Sequence, residues 1–199
     1  IRTVTEYLAA HPEAGIVGPK LLNPDGSLQM SCRTFPNPVA AAFRNTFLGR
    51  LFPKNKYTRE YLMTDWDHQS PREVDWLSGA AMFIRDEVIE RVGVLDDNLF
   101  MFCEDVDLCK RAWEAGFKVV YVPDGVITHA IGHSTSQVAN KMIVRFHRSM
   151  FRYYCKHNLR EAPFLARPFL VAFAASALSG RAFLFLAKNW LDAVRRKFK

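Results

Sequence analysis

Phe100-Met101-Phe102-Cys103-Glu104-Asp105-Val106-Asp107-Leu108-Cys109-Lys110-Arg111 puts three carboxylates into four residues, directly behind an aromatic run. The spacing through Gly116 predicts a helix in which Glu104, Asp107, Arg111 and Glu114 share one stripe, expected to face solvent. Asp105 falls instead in register with Leu108, Cys109 and Ala112, on the apolar face. An ionised carboxylate is costly to bury unless it is paired or put to use, so Asp105 is the first candidate for chemistry. In the first turn, the partial positive charge of the helix N-terminus favours the ionised acid. A carboxylate at a pocket edge can then take a proton from an attacking hydroxyl. The competing reading is that Glu104 or Asp105 simply caps the helix. The paired acids, the inward register of Asp105 and the preceding aromatic run bring the two readings level.

Strands and helices alternate on both sides of this segment. Downstream, Lys118–Val122 reads as a buried strand closed by Pro123-Asp124-Gly125, and Val126–Ala130 as another. Upstream, Val74–Ile84 reads as two short strands broken at Ser78-Gly79, and Asp86 as the cap of a helix that Gly93 ends. The chain opens with a helix over residues 2–11, a strand Gly15–Gly18 and Lys20-Leu21-Leu22. Asn23-Pro24-Asp25-Gly26 then turns a hairpin into Ser27–Cys32. Residues 38–48 suggest a helix and 49–72 a long surface loop. The alternation predicts an α/β fold or a mixed-sheet sandwich.

Two further segments could carry chemistry. In Trp76-Leu77-Ser78-Gly79-Ala80, Gly79 would let the backbone approach a ligand beside the Trp76 wall, or would mark a bulge in a packed strand. In His129-Ala130-Ile131-Gly132-His133-Ser134, two histidines stand four apart. No Glu follows His129 and Gly132 opposes a helix, so a zinc-protease motif is a poor fit. A single histidine ligand to a metal or phosphate stays open, beside an ordinary hydrogen-bonded histidine.

The 199 residues, 49% of them hydrophobic, suit one compact domain with an appendage. Residues 1–140 hold 14 Lys/Arg against 18 Asp/Glu, whereas 141–199 hold 13 against 2, so the basic excess belongs to the tail. There Met142, Phe146, Met150, Tyr153 and Tyr154 make one face, and Lys141, Arg145, Arg148, Arg152 and Lys156 a basic stripe. Farther on, Arg167, Pro168, Gly180 and Arg181 interrupt an apolar stretch whose longest uncharged run is too short to span a bilayer. This pattern favours helices lying on an anionic membrane surface, over a helical pair packed on protein and over a transmembrane helix that tolerates Arg181. Nucleic acid is disfavoured, because phosphate contact does not need large aliphatic runs. Cys32, Cys103, Cys109 and Cys155 form no metal or CxxC spacing and read as reduced, packed thiols of a cytosolic protein. The opening residues read as a helix already under way, the later part of something longer.

Taken in chain order, four elements resemble the second half of a family 2 glycosyltransferase of the inverting GT-A type, in its rhamnosyltransferase-like branch. They are the opening helix with Gly15-Ile16-Val17-Gly18-Pro19-Lys20-Leu21-Leu22, then Trp76–Ala80, then Glu104-Asp105-Val106-Asp107-Leu108 with Arg111, and then His129-x-x-Gly132-x-Ser134. The resemblance implies a partial GT-A sandwich with a mixed sheet over residues 1–136, followed by basic amphipathic helices over 137–199. It implies that Asp105, with Glu104 beside it, deprotonates an acceptor hydroxyl while a sugar leaves its nucleotide diphosphate with inversion. Trp76, Ser78 and Gly79 would line the sugar pocket, Asp107 and Arg111 would bind substrate, and His129 would sit at a metal or diphosphate. The implied partners are a nucleotide-sugar donor, a lipid-linked or polysaccharide acceptor and the cytoplasmic face of a membrane, and a homodimer is left open.

A divalent cation, Mg or Mn, is implied for the complete enzyme. The nucleotide-binding half with its Asp-x-Asp would precede the opening helix, so the metal site is expected to be incomplete and the isolated chain inactive. Two other classes compete: a non-catalytic membrane-docking or partner-binding module of the same descent, and a metal-dependent hydrolase using Glu104, Asp105, Asp107 and His129.

Overall fold

The computed structural model describes residues 1–44, 46–130 and 139–197. In chain order the elements are α1 (Arg2–Ala10), β1 (Ala14–Leu22), β2 (Leu28–Gln29), β3 (Cys32–Arg33), α2 (Pro38–Phe43), α3 (Phe47–Leu51), α4 (Lys56–Leu62), β4 (Arg72–Glu73), β5 (Trp76–Leu77), β6 (Phe83–Ile84), α5 (Asp86–Val92), α6 (Glu104–Glu114), β7 (Lys118–Thr128), α7 (Ala139–His157) and α8 (Arg167–Lys197). They form two compact units. The first holds residues 1–95, α6 from Asp105, and β7; the second holds Asp96–Glu104, α7 and α8.

The first unit is an α/β fold on a mixed sheet, as the alternation predicts. β1 and β7 run parallel at its centre, and Ala14, Ile16, Val17, Leu21, Val119 and Tyr121 are wholly buried. Near-continuous apolar runs are what strands covered on both faces require. β6 and β2 pair antiparallel with the two ends of β1, and β4 pairs antiparallel with β7. β3 and β5 make a separate antiparallel pair, with Arg33 opposite Trp76.

Pro123-Asp124-Gly125 does not close a strand. β7 runs through it, and the register jumps from Pro19↔Val122 to Lys20↔Val126. Pro19 has no N–H to give the ladder there, so the opposing chain bulges and then resumes pairing. Gly125 is required at the bulge because a Cβ would lie 2.3 Å from Cγ2 of Val4 on α1. The hairpin at Asn23–Gly26 forms as read, with Gly26 at φ +82°.

Two other expectations change. Residues 38–48 split into α2 and the start of α3, and the supposed loop 49–72 holds most of α3 and all of α4. Asn37, Thr46 and Asn55 each accept a helix-starting N–H, and Tyr61 anchors α4 in the interior. Asp86 is the first residue of α5, and Arg85 holds the cap position.

Arg85 closes the end of α1. Its Nε donates to Ala14 O at 3.1 Å, and Nη2 donates to His11 O at 3.2 Å and to Leu8 O. Leu8 lies in the last turn of α1, where a carbonyl has no partner within the helix, and His11 O also accepts the Ala14 N–H at 3.0 Å. Arg85→Met is expected to cost roughly 2–3 kcal/mol, seen as a lower urea midpoint with unchanged slope. An unchanged midpoint would remove this role.

In the second unit, α7 and α8 pack together, and the segment from Asp96 is tied to α7. Lys156 Nζ lies 2.6 Å from Asp96 Oδ2, Arg152 donates to Asn98 O, and Phe102 meets Phe146 edge-on at 5.3 Å. Part of the basic stripe is therefore spent on protein. α8 is one helix of 31 residues: Pro168 sits in its first turn, where no N–H is needed, and Gly180-Arg181 does not break it.

Candidate active site

The chain enters α6 through Met101, Phe102 and Cys103, all left-handed at φ +55°, +89° and +67°. Side-chain-bearing residues held this way cost about 1–3 kcal/mol each, and such strain gathers where a following group must be aimed. Two residues on, in the first turn, stands Asp105.

Its carboxylate is held on both oxygens. Oδ2 accepts the Gly79 N–H at 3.0 Å and Oδ1 accepts the Val106 N–H at 2.8 Å. Gly79 is exposed, so the acid lies at an open edge. A Cβ on Gly79 would meet Asp105 Cβ at 3.5 Å, an ordinary contact. The glycine therefore matters through its N–H, which is given to Asp105 rather than kept for a ligand. Burial pushes the Asp105 carboxyl up from its ordinary value, while the Gly79 and Val106 N–H groups and the Arg33 charge pull it back. A carboxylate so raised is a stronger base than an exposed one, and its oxygens are already oriented.

Trp76, three residues before Gly79, is buried, with its indole N–H on Thr34 O at 2.8 Å. The Arg33 guanidinium covers its ring at 5.0 Å. Ser78 shapes the loop: its N–H donates to Ser31 O at 2.7 Å and its hydroxyl accepts the Ala80 N–H at 3.4 Å. Glu104 opens α6 and is half-buried. Arg33 had no sequence signal, because only the β3–β5 pairing brings it to Trp76.

Asp107 and Arg111 are corrected. Asp107 is not on a solvated stripe; it is completely buried, and Arg111 Nε donates to its Oδ2 at 2.8 Å. Arg111 also donates to Val94 O at 2.8 Å and to Val92 O, closing the end of α5. The pair joins two helices, and the exposure expected of Asp107 is what the structure overturns.

His129 follows β7, with its Nδ1 2.9 Å from Gln29 Oε1 and its carbonyl accepting from Gln29 Nε2 at 3.0 Å. Gln29 orients it, and its partners do not include Asp105. Gly132, His133 and Ser134 lie outside the described residues. The four cysteines are free, and burial pushes the Cys32 and Cys109 thiols up to about 12, as packed thiols should be.

The family model described as glycosyltransferase like family 2 matches residues 1–162. The chain belongs to that family. An N-acetylglucosaminyl-diphospho-decaprenol L-rhamnosyltransferase of Mycobacterium tuberculosis is 35% identical over 140 residues, 70% of this chain and 45% of that protein. A rhamnosyltransferase of Escherichia coli K12 is 34% identical over 130 residues, 65% of this chain and 46% of that protein. A dTDP-rhamnosyl transferase of Shigella flexneri is 29% identical over 90 residues, 45% of this chain and 30% of that protein. The chain thus spans less than half the length of these glycosyltransferases. Members of the family generally use a divalent cation. No group of three His, Cys, Asp or Glu side chains able to hold one occurs among the described residues, and His129 offers a single ring nitrogen. These residues do not fit a metal site by themselves.

Proposed function

We propose that this chain carries the acceptor-side catalytic apparatus of an inverting glycosyltransferase. The sugar is L-rhamnose, the donor a nucleotide diphosphate sugar and the acceptor a lipid-linked saccharide, by analogy with what its relatives' names state. The observation that carries this reading is the Asp105 carboxylate, fixed by two backbone N–H groups at an open helix mouth. As the acceptor oxygen forms its bond to the anomeric carbon, Asp105 takes the hydroxyl proton. The bond to the diphosphate breaks on the opposite face, the bonding pair leaves with the nucleotide, and the configuration inverts. The test is transfer of labelled rhamnose to a prenyl-diphosphate-linked acceptor by the protein completed with its nucleotide-binding half, with and without Asp105→Asn.

Support for work at a membrane comes from α8. The stretch Phe164–Arg195 is by length and composition apolar enough to cross a bilayer, and Phe169, Phe173, Phe183, Leu184 and Trp190 are largely exposed. With Arg181, Lys188 and the terminal basic residues on the same helix, the reading is a helix seated in an anionic cytoplasmic leaflet, where a lipid-linked acceptor is met in two dimensions. Removing residues 164–199 is expected to shift the protein from sedimenting with anionic vesicles to the supernatant. Continued sedimentation would place the attachment elsewhere.

A further inference from the structure

The reading of Asp105 leaves α2–α4 without a role, yet two of their features are unusual. Tyr61 is buried and has guanidinium groups on two sides. Arg33 Cζ lies 6.0 Å and Arg44 Cζ 5.2 Å from its ring centroid, and Arg44 reaches the phenol oxygen at 3.4 Å. Arg33 donates to Met30 O at 3.2 Å, while its Nε is sealed from solvent with no hydrogen-bond partner. Among the described residues no carboxylate comes within 4.0 Å of Arg33. Two like charges gathered on one phenol, one of them with an unspent donor, favour an anion between or beside them. Arg33 pairs opposite Trp76, three residues before the Gly79 whose N–H holds Asp105, and this strand pairing sets that anion on the side of the base.

The second feature is apolar. Phe47, Leu51 and Phe52 are more than half exposed, and Phe43, Leu51, Phe52 and Pro53 line an open cleft with Lys54 and Asn55. The cleft is firmly built. Gly49 brings α3 so close to α2 that a Cβ there would lie 1.9 Å from Phe43 O, and Phe43 stacks on Tyr57 at 5.6 Å. Arg44 directly follows Phe43, so the cationic end adjoins the apolar cleft along the chain.

We propose that α2–α4 bind the prenyl-diphosphate part of the acceptor, with its diphosphate on Arg33 and Arg44 and its first prenyl units in the Phe43–Leu51–Phe52 cleft. This assignment rests on Asp105 being the base: in a monosaccharide acceptor only one sugar ring separates the reacting hydroxyl from the diphosphate. A nucleoside diphosphate would use the cations but not the cleft, and a bare bilayer would use the cleft but not half-buried cations. Only a prenyl diphosphate uses both.

The test is equilibrium binding of farnesyl diphosphate, inorganic pyrophosphate, a nucleoside diphosphate and plain phosphatidylcholine vesicles, followed by calorimetry on the folded chain. Arg33→Gln and Arg44→Gln are each expected to weaken farnesyl diphosphate about tenfold to a hundredfold. Phe52→Ser, at an exposed position that cannot compromise folding much, is expected to weaken farnesyl diphosphate but not pyrophosphate. Farnesyl diphosphate binding that ignores all three changes overturns the assignment. So does an arginine effect confined to the nucleoside diphosphate, or a Phe52→Ser effect confined to plain vesicles. None of these readouts needs turnover, so the dock can fail while Asp105→Asn still abolishes transfer; full turnover by Asp105→Asn would instead remove Asp105 from the role of base, on which the dock's placement rests.

Discussion

In a protein completed with the nucleotide-binding half, Asp105→Asn is expected to lower sugar transfer about 100- to 10,000-fold, the usual cost of losing a general base, with donor binding largely unchanged. Its effect on stability should run the other way. Because burial raises the folded-state value of this acid, the native chain holds the proton more readily than the unfolded one. Stability from this group is greatest at low pH and falls as pH rises from the ordinary carboxylate range through the raised value. At neutral pH a neutral side chain is therefore no worse for the fold than the charged one. Asparagine keeps an oxygen for one of the two N–H groups but turns its own NH2 toward the other, a loss of about 1 kcal/mol that offsets this gain. The variant should melt within a few degrees of the wild-type temperature, which separates loss of chemistry from loss of structure. A Tm several degrees lower would show that the carboxylate serves the fold instead.

Asp107→Ala is expected to do the opposite. Removing one partner of a buried, hydrogen-bonded ion pair leaves the other charge stranded and costs about 3–5 kcal/mol. That is a large part of the roughly 5–15 kcal/mol that holds a domain folded. The Arg111 guanidinium would keep its carbonyls on α5 but lose the carboxylate that aims it. The check is the urea midpoint, and a change below about 1 kcal/mol would mean the pair contributes little. Two acids two positions apart on one helix thus have separate duties, because successive residues turn by 100° and the two side chains leave on nearly opposite sides.

The order of helices and strands, the mixed sheet and the hairpin at Asn23–Gly26 were legible because period, turn residues and apolar runs are local properties. Asp105 was legible for the same reason, through its register with Leu108, Cys109 and Ala112. Asp107 was misread by that very logic: an amphipathic stripe assumes one buried side, and α6 is covered on more than one, with Val106, Asp107 and Leu108 all buried. The bulge in β7 escaped notice because it answers Pro19, more than 100 residues earlier. α3 and α4 were hidden among polar residues that turned out to be caps. Arg33, Tyr61 and Gln29 carried no pattern at all, since their neighbours are supplied by strand pairing and helix packing across the chain.

The central claim, that ionised Asp105 receives the acceptor's proton, is tested most directly by the pH dependence of single-turnover transfer in the protein completed with its nucleotide-binding half. The wild-type rate should fall with decreasing pH through an apparent value above the ordinary carboxylate range, and the residual rate of Asp105→Asn should lack that limb. An Asp105→Asn protein that turns over at the wild-type rate, with the same acid limb, would contradict it.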